Sequence, residues 1–357
     1  MHASPIKMIV AFSILISFFI VLFATPSFIK VAELKNLFDE PGEARKLHKH
    51  RVPSMGGIMI FAGTLFSFLI CFPSENIGYI KYLIPSVLVM FFIGIKDDII
   101  GTAAVKKLIG HLLVAFIMVL MAEIKITSLY GIFEIRELPD WASISLSIFT
   151  FVVLINAFNI IDGVDGLAGG VGCIASIAFG IWFLLIGSTV DAIISFSLAG
   201  ALLGFLRFNF YPANIFMGDS GSLVVGLIIC TLAIRLIEYD ISAIPSNMMK
   251  ISKPIFAMSV LSYPLLDTLR IFIYRMIRGT SPFQADSNHI HHRLIKLGLN
   301  HAQTVGVIYL FNIALIVYSV LVKELNTSLT FIILTLIVFT ALGALFLIPL
   351  KKKEKLG

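Results

Sequence analysis

The chain has 357 residues, of which 58% are hydrophobic and only 13% charged, and its mean hydropathy is +0.99. So little polar side chain cannot cover a water-soluble globule of this size, which excludes an ordinary soluble enzyme and places the protein in a lipid bilayer. The net charge of +6 comes without basic patches interleaved with surface aromatics, so no nucleic-acid partner is expected and the charge is read as topological.

Apolar stretches of roughly 18 to 23 residues suit helices crossing a hydrocarbon layer about 30 Å thick, and about eleven are present. They fall near residues 9–29, 55–72, 80–96, 107–122, 141–158, 167–187, 191–207, 218–236, 253–273, 304–322 and 328–350. The first is too long for a signal-peptide core and no small-residue cleavage site follows, so it reads as a retained helix. Cys71, Cys173 and Cys230 lie in apolar segments without metal-ligand spacing and read as packing residues. No linker or internal repeat is evident, and residues 1–357 are read as one integral-membrane domain. The expected fold class is all-α, a polytopic transmembrane helical bundle.

With eleven spans the termini lie on opposite sides. Lys351, Lys352, Lys353 and Lys355 argue for a cytoplasmic C-terminus, which leaves the N-terminus outside. This arrangement puts 19 of the 27 Lys and Arg residues on the cytoplasmic side, as the positive-inside rule requires.

Five polar clusters fall on that same side. The first, Phe38-Asp-Glu-Pro-Gly-Glu-Ala-Arg-Lys-Leu-His-Lys-His-Arg-Val-Pro-Ser-Met-Gly-Gly57, mixes acids, bases and turn formers. A headgroup anchor would explain its charge, but not the shaped turn at Pro53 and Gly56-Gly57. The second, Gly94-Ile-Lys-Asp-Asp98, places two adjacent carboxylates at a helix end, where a cation, a proton or water must compensate them. Lys106 and Lys107 follow, placed to meet phosphate as point charges.

The third cluster, Asn156-Ala-Phe-Asn-Ile-Ile-Asp-Gly-Val-Asp-Gly-Leu-Ala-Gly-Gly170, offers several oxygen ligands between glycines that let backbone approach a bound group. It lacks the twelve-residue ligand series and closing Glu of an EF-hand, which excludes that reading. In the fourth, Phe216-Met-Gly-Asp-Ser-Gly-Ser222, Asp219 introduces a helix; it serves either as a cap or at a phosphate-binding helix start. The fifth, Asp286-Ser-Asn-His-Ile-His-His-Arg-Leu294, holds three histidines. Their spacing suits zinc poorly, and hydrogen bonding to an anionic substrate, helped by Arg293 and Arg278, is the preferred reading.

Together these residues resemble the polyprenyl-phosphate N-acetylhexosamine 1-phosphate transferase family, over Asp39–Gly57, Asp97-Asp98 with Lys107-Leu108, Asn156–Leu167, Met217–Ser222 and His289–Leu294. The His-Ile-His-His form of the last motif favours the bacterial undecaprenyl-phosphate N-acetylglucosamine-1-phosphate branch over the muramoyl-pentapeptide branch. Ile99-Ile100-Gly101 departs from the polar residue that many relatives place after the acidic pair.

The resemblance implies a cytoplasmic-face site in the bacterial plasma membrane, with UDP-N-acetylhexosamine and undecaprenyl phosphate as substrates. It implies Mg2+, with Mn2+ as a substitute, on Asn159 and Asp219, and a catalytic set of Asp97, Asp98, Lys107 and Asp162. It further implies that Arg45, His48, Asp165, His289, His291, His292 and Arg293 bind substrate; a homodimer is compatible with this picture. A transporter using intramembrane carboxylates is the rival of another class. Transporters place such groups near the midplane within repeated halves, whereas here they sit at helix ends.

Overall fold

The computed structural model describes residues 5–35, 38–39, 52–73, 77–246, 248–277, 279 and 289–349. Each predicted apolar stretch is helical over most of its described residues, because a chain in lipid has to satisfy its backbone groups within itself. In chain order the helices are α1 (Pro5–Leu34), α2 (Gly57–Cys71), α3 (Ile80–Ile100), α4 (Ala104–Phe116, continued by a π-helical turn over Ile117–Met121), α5 (Asp140–Ile161), α6 (Leu167–Leu185) and α7 (Thr189–Asn209). They continue as α8 (Asp219–Ile237), α9 (Lys253–Val260), α10 (Ser262–Ile277), α11 (Ile290–Lys296), α12 (His301–Leu321) and α13 (Thr327–Leu347).

Eight helices among the described residues are long and apolar enough to cross a membrane, or nine if the bent pair α9–α10 counts as one. The expected eleven is therefore not reached by length and composition. α2 has only 15 residues, and α3 carries Lys81 near one end and Lys96, Asp97 and Asp98 near the other. The stretch expected at 253–273 is two helices, bent by 74° at their junction. Residues expected to form a loop near 123–140 contain a short antiparallel hairpin, β3 (Ser128–Ile132) with β4 (Ile135–Glu137); a two-residue pair, β1 (Phe38–Asp39) with β2 (Val52–Pro53), precedes α2.

A large apolar core draws on α1 through α12, with Phe68, Phe151, Phe158, Phe179, Phe183 and Phe205 among its fully buried side chains. α8 is its axis: 94% of its apolar window is buried, against 17% for α13. The outer faces of α1, α12 and α13 expose Phe12, Phe23, Leu310, Leu321, Phe339 and Leu347. A surface so apolar suits lipid, not water.

Two close approaches place the site. A methyl group on Gly57 would lie 2.0 Å from the Gly221 nitrogen, and one on Gly94 would lie 2.4 Å from the Ser220 Cα. α2 and α3 thus meet the start of α8 backbone to backbone, which only glycine allows.

Candidate active site

The site is assembled from helix ends. The three residues between α3 and α4 form a tight connection, so Lys107 in the first turn of α4 folds back onto the acidic pair that ends α3. Its Nζ lies 2.6 Å from Asp97 Oδ2 and 2.5 Å from Asp219 Oδ2. Asp219 is the first residue of α8, which Gly218 enters with a φ of 71° that disfavours any residue with a Cβ. The turn expected at Pro53 and Gly56-Gly57 holds this entry. Phe216 N–H donates to the Pro53 carbonyl at 2.7 Å, and Gly56 and Gly57 N–H donate to the Phe216 and Met217 carbonyls at 2.9 and 2.8 Å.

The capping alternative for Asp219 is answered by geometry. Asp98 of α3 caps α8, its Oδ1 and Oδ2 accepting the Asp219 and Ser220 N–H groups at 2.7 and 3.1 Å. An anionic acceptor at a helix start satisfies orphan donors and opposes the helix dipole. The Asp219 carboxylate is thereby released for other partners. Its Oδ1 accepts from Asn159 Nδ2 at 2.7 Å and its Oδ2 from Lys107, while Asn159 also donates to Ser222 Oγ at 3.1 Å.

Asp162, just past the end of α5, accepts the Gly218 N–H at 3.0 Å. Burial, then the charges of Asp219 and Asp98, hold its carboxyl well above the usual carboxylate range. Lys107 thus bridges Asp97 and Asp219, while Asp98 and Asp162 flank them at the entry to α8. Like charges roughly 4 Å apart, at an effective dielectric constant of about 20, repel by about 4 kcal/mol. The surplus needs a proton or an added cation.

Among the described residues no three His, Cys, Asp or Glu side chains form a ready metal cage. Mg2+ does not require one, since it commonly takes one or two carboxylates and completes its shell with water and substrate phosphates. Asp219 supplies such a carboxylate, and the neighbouring Asp97 Oδ1, buried and without a hydrogen-bond partner, leaves an uncompensated anionic oxygen beside it. Asn159 fits the ion once its amide turns, because here it offers nitrogen, not oxygen, to Asp219.

Of the substrate-binding expectations, Arg45 and His48 lie outside the described residues, as does Arg278. The histidines come together: His289 stacks on His291 with ring centroids 5.3 Å apart, and His292 lies 4.4 Å from His291. A methyl group on Gly163, next to Asp162, would sit 3.4 Å from His291 Nε2, so the cluster borders the acidic site. Burial pushes His291 down to about 3, leaving it neutral at physiological pH.

Two expected binders are engaged elsewhere. Asp165, 2% exposed, accepts the Ala213 N–H at 3.0 Å and lies 3.9 Å from His301, beneath the loop that leads to α8. The Arg293 guanidinium donates to the carbonyls of Leu345, Phe346 and Ile348 at 3.4, 3.1 and 2.5 Å, so it closes the end of α13 instead of joining the histidines.

Sequence reasoning overlooked Asn209, whose side chain accepts Gly166 N–H at 3.0 Å and donates to the Ile215 carbonyl at 2.8 Å. It also overlooked Tyr309, which donates to the Gly166 carbonyl at 2.5 Å; together they pin the Asp162–Gly166 loop. Asp267, a lone carboxylate in an apolar stretch, was overlooked although an ionisable group at such depth is itself a signal.

This architecture defines a membrane-embedded bundle whose acidic site lies at the ends of α3, α4, α5 and α8. The glycosyl transferase family 4 profile matches residues 80–237, which span all four of these helices. A Bacillus subtilis (strain 168) protein named probable undecaprenyl-phosphate N-acetylglucosaminyl 1-phosphate transferase is 33% identical over 341 residues, covering 94% of this chain and 90% of its own. The decaprenyl-phosphate N-acetylglucosaminephosphotransferase of Mycolicibacterium smegmatis is 34% identical over 75% of this chain and 71% of its own. The undecaprenyl-phosphate alpha-N-acetylglucosaminyl 1-phosphate transferase of Escherichia coli K12 is 30% identical over 77% and 73%. The chain belongs to this family, that of the polyprenyl-phosphate N-acetylhexosamine 1-phosphate transferases.

Proposed function

We propose that the protein transfers N-acetylglucosamine 1-phosphate, or that of a closely related N-acetylhexosamine, from its UDP-sugar to undecaprenyl phosphate, releasing UMP and starting a lipid-linked cell-envelope glycan. The observation that carries this reading is the junction of Asp97, Lys107, Asn159 and Asp219 beside the Asp162 loop. The names of the relatives agree with it. The whole chain acts as one domain in the plasma membrane, with the site facing the cytoplasm.

In the reaction an oxygen of the acceptor phosphate attacks the β-phosphorus of the UDP-sugar. The new P–O bond forms as the bond to the UMP oxygen breaks, and the electron pair leaves with UMP. Asp97 is the better of the adjacent pair to orient the acceptor phosphate or take its proton, because both Asp98 oxygens are spent on the α8 cap. Lys107 balances the charge of the reacting phosphates. Mg2+, held by Asp219 and Asn159, would neutralise the diphosphate and the leaving phosphate.

Purified protein with Mg2+, undecaprenyl phosphate and competing UDP-sugars tests this reading by UMP release. UDP-N-acetylglucosamine or a close epimer is the expected donor. Preferential use of UDP-muramoyl-pentapeptide would move the protein to the peptidoglycan branch. For orientation, single cysteines near residue 133 should react with an impermeant thiol reagent on intact cells and those near residue 300 should not; the reverse pattern would overturn the cytoplasmic site.

A further inference from the structure

A break inside an apolar stretch frees backbone groups that lipid cannot satisfy. At the 74° bend between α9 and α10 this is met by Asn312 of α12, fully buried, whose Nδ2 donates to the Val260 carbonyl at 3.1 Å and whose Oδ1 accepts from Ser262 Oγ at 2.8 Å. The clasp sets the direction in which α10 leaves. Asp267, past the first turn of α10, then meets the start of α11.

The Asp267 carboxyl is fully buried. Its Oδ1 accepts the Ile290 backbone N–H at 2.8 Å, and its Oδ2 lies 2.9 Å from His289 Nδ1. An ionised carboxylate only accepts, so the His289 proton must sit on Nδ1. In the neutral ring this leaves Nε2 with its lone pair, on a ring stacked against His291 at the edge of the acidic site. A lone pair repels a phosphate oxygen and accepts from a hydroxyl or an amide N–H.

We propose that Asp267 is a positioning residue that fixes His289 in the Nδ1–H tautomer, so that His289 Nε2 reads a hydrogen-bond donor on the sugar, a hydroxyl or the acetamido N–H, and not the diphosphate. This rests on the UDP-sugar reading of the site. It assigns the fifth polar cluster to sugar selection and the acidic cluster to phosphate chemistry. Replacing the carboxylate by an amide lets nitrogen face Nδ1, which moves the ring proton to Nε2 and turns the acceptor into a donor.

The test uses the full chain in lipid nanodiscs with 15N-labelled histidine, as wild type, Asp267→Asn, His289→Gln and the double variant. At neutral pH the wild-type spectrum should contain a histidine with a protonated Nδ1 and a bare Nε2. His289→Gln should remove that signal pair, and Asp267→Asn should exchange or lose it. In UMP-release assays with UDP-N-acetylglucosamine and analogues lacking one sugar hydroxyl or the acetamido N–H, wild-type kcat/KM should fall about 10- to 100-fold for one analogue, the worth of one hydrogen bond. Both single variants should lose about that factor on the parent donor and treat that analogue no worse than the parent. The double variant should match His289→Gln, because residues acting as one unit are not additive.

A wild-type His289 protonated at Nε2 overturns the proposal, as does discrimination among the analogues that survives in both single variants. If Asp267→Asn does not insert, the wild-type spectrum and His289→Gln decide. If the wild type uses none of these donors, the substrate reading fails while the spectrum still judges the Asp267–His289 assignment.

Discussion

At the end of α8 remote from Asp219, Arg235 grips Asp191 of α7 through two hydrogen bonds, Nε to Oδ1 at 3.1 Å and Nη2 to Oδ2 at 2.7 Å. Tyr79 and Ser188 hydroxyls complete the carboxylate at 2.5 and 2.6 Å, and the guanidinium lies 4.5 Å over the Tyr79 ring. One anion meets one cation there, and Asp191 is fully buried. At the Asp219 end one ammonium is shared by two carboxylates, Asp97 and Asp219, with Asp98 and Asp162 beside them, and Asp97 Oδ1 has no hydrogen-bond partner. The same residue types thus pair one to one at one end of a single helix and leave carboxylates in excess of lysine at the other. Imbalance, more than the presence of buried charge, separates a site from a staple.

The largest effect expected from breaking this contrast is at Asp219. Asp219→Ala should lower UMP release at least about 10³-fold, while gel filtration and membrane insertion remain normal because Asp98 still caps α8. Retained Mg2+-dependent turnover in that variant would return Asp219 to a structural role.

At the balanced end the expectation inverts. Arg235→Met leaves Asp191 buried and unpaired, which should cost about 3–5 kcal/mol of stability, read as a lower unfolding midpoint. kcat/KM per folded molecule should change little. A variant that is stable but inactive would show that the far end takes part in the chemistry.

Gly94→Ala removes no charge and no donor, yet it should reduce activity about tenfold or more, since misplacing catalytic groups by an ångström is costly. Unaltered kinetics would mean that α3 and α8 yield freely where their backbones touch.

The smallest expected effect is in pH dependence. Asp162 is held above its ordinary value, so in the absence of metal it keeps a proton at pH values where a solvated carboxylate has lost it. A cation at Asp219 would offset the charge that holds this proton and favour its loss, so apparent Mg2+ affinity should rise with pH. By the same sign, the stability that Asp162 contributes without metal is present at low pH and declines as pH rises through its elevated value. Asp162→Asn should flatten the Mg2+ affinity profile; an unchanged slope would assign the proton to another group.

The helices and the acidic motifs were legible in the sequence because each is local: an apolar run of sufficient length, or carboxylates a few residues apart. Asp97, Asp98, Asn159, Asp162 and Asp219 could be gathered on one side by the order of the apolar stretches together with the Lys and Arg count. What was illegible depends on contacts between distant segments. Nothing near Asp98 announces that it caps a helix starting at residue 219, and nothing near Arg293 announces the carbonyls at the end of α13. Asp191 and Arg235 each occupy an apolar stretch where a lone charge implies a partner, but their pairing needs α7 beside α8. The bend at Leu261 was read as one continuous span because its compensating amide, Asn312, lies about fifty residues later.

The contacts of Gly57 and Gly94 with the backbone at Ser220 and Gly221 also limit how the protein can move. Helices separated by side chains can slide as rotamers change, but here no side chain lies between the touching backbones to absorb shear. α2, α3 and the start of α8 must travel as one rigid block through the catalytic cycle. The histidine cluster meets its neighbours differently, through the His291 side chain against the loop at Gly163, a contact that a change of rotamer can open.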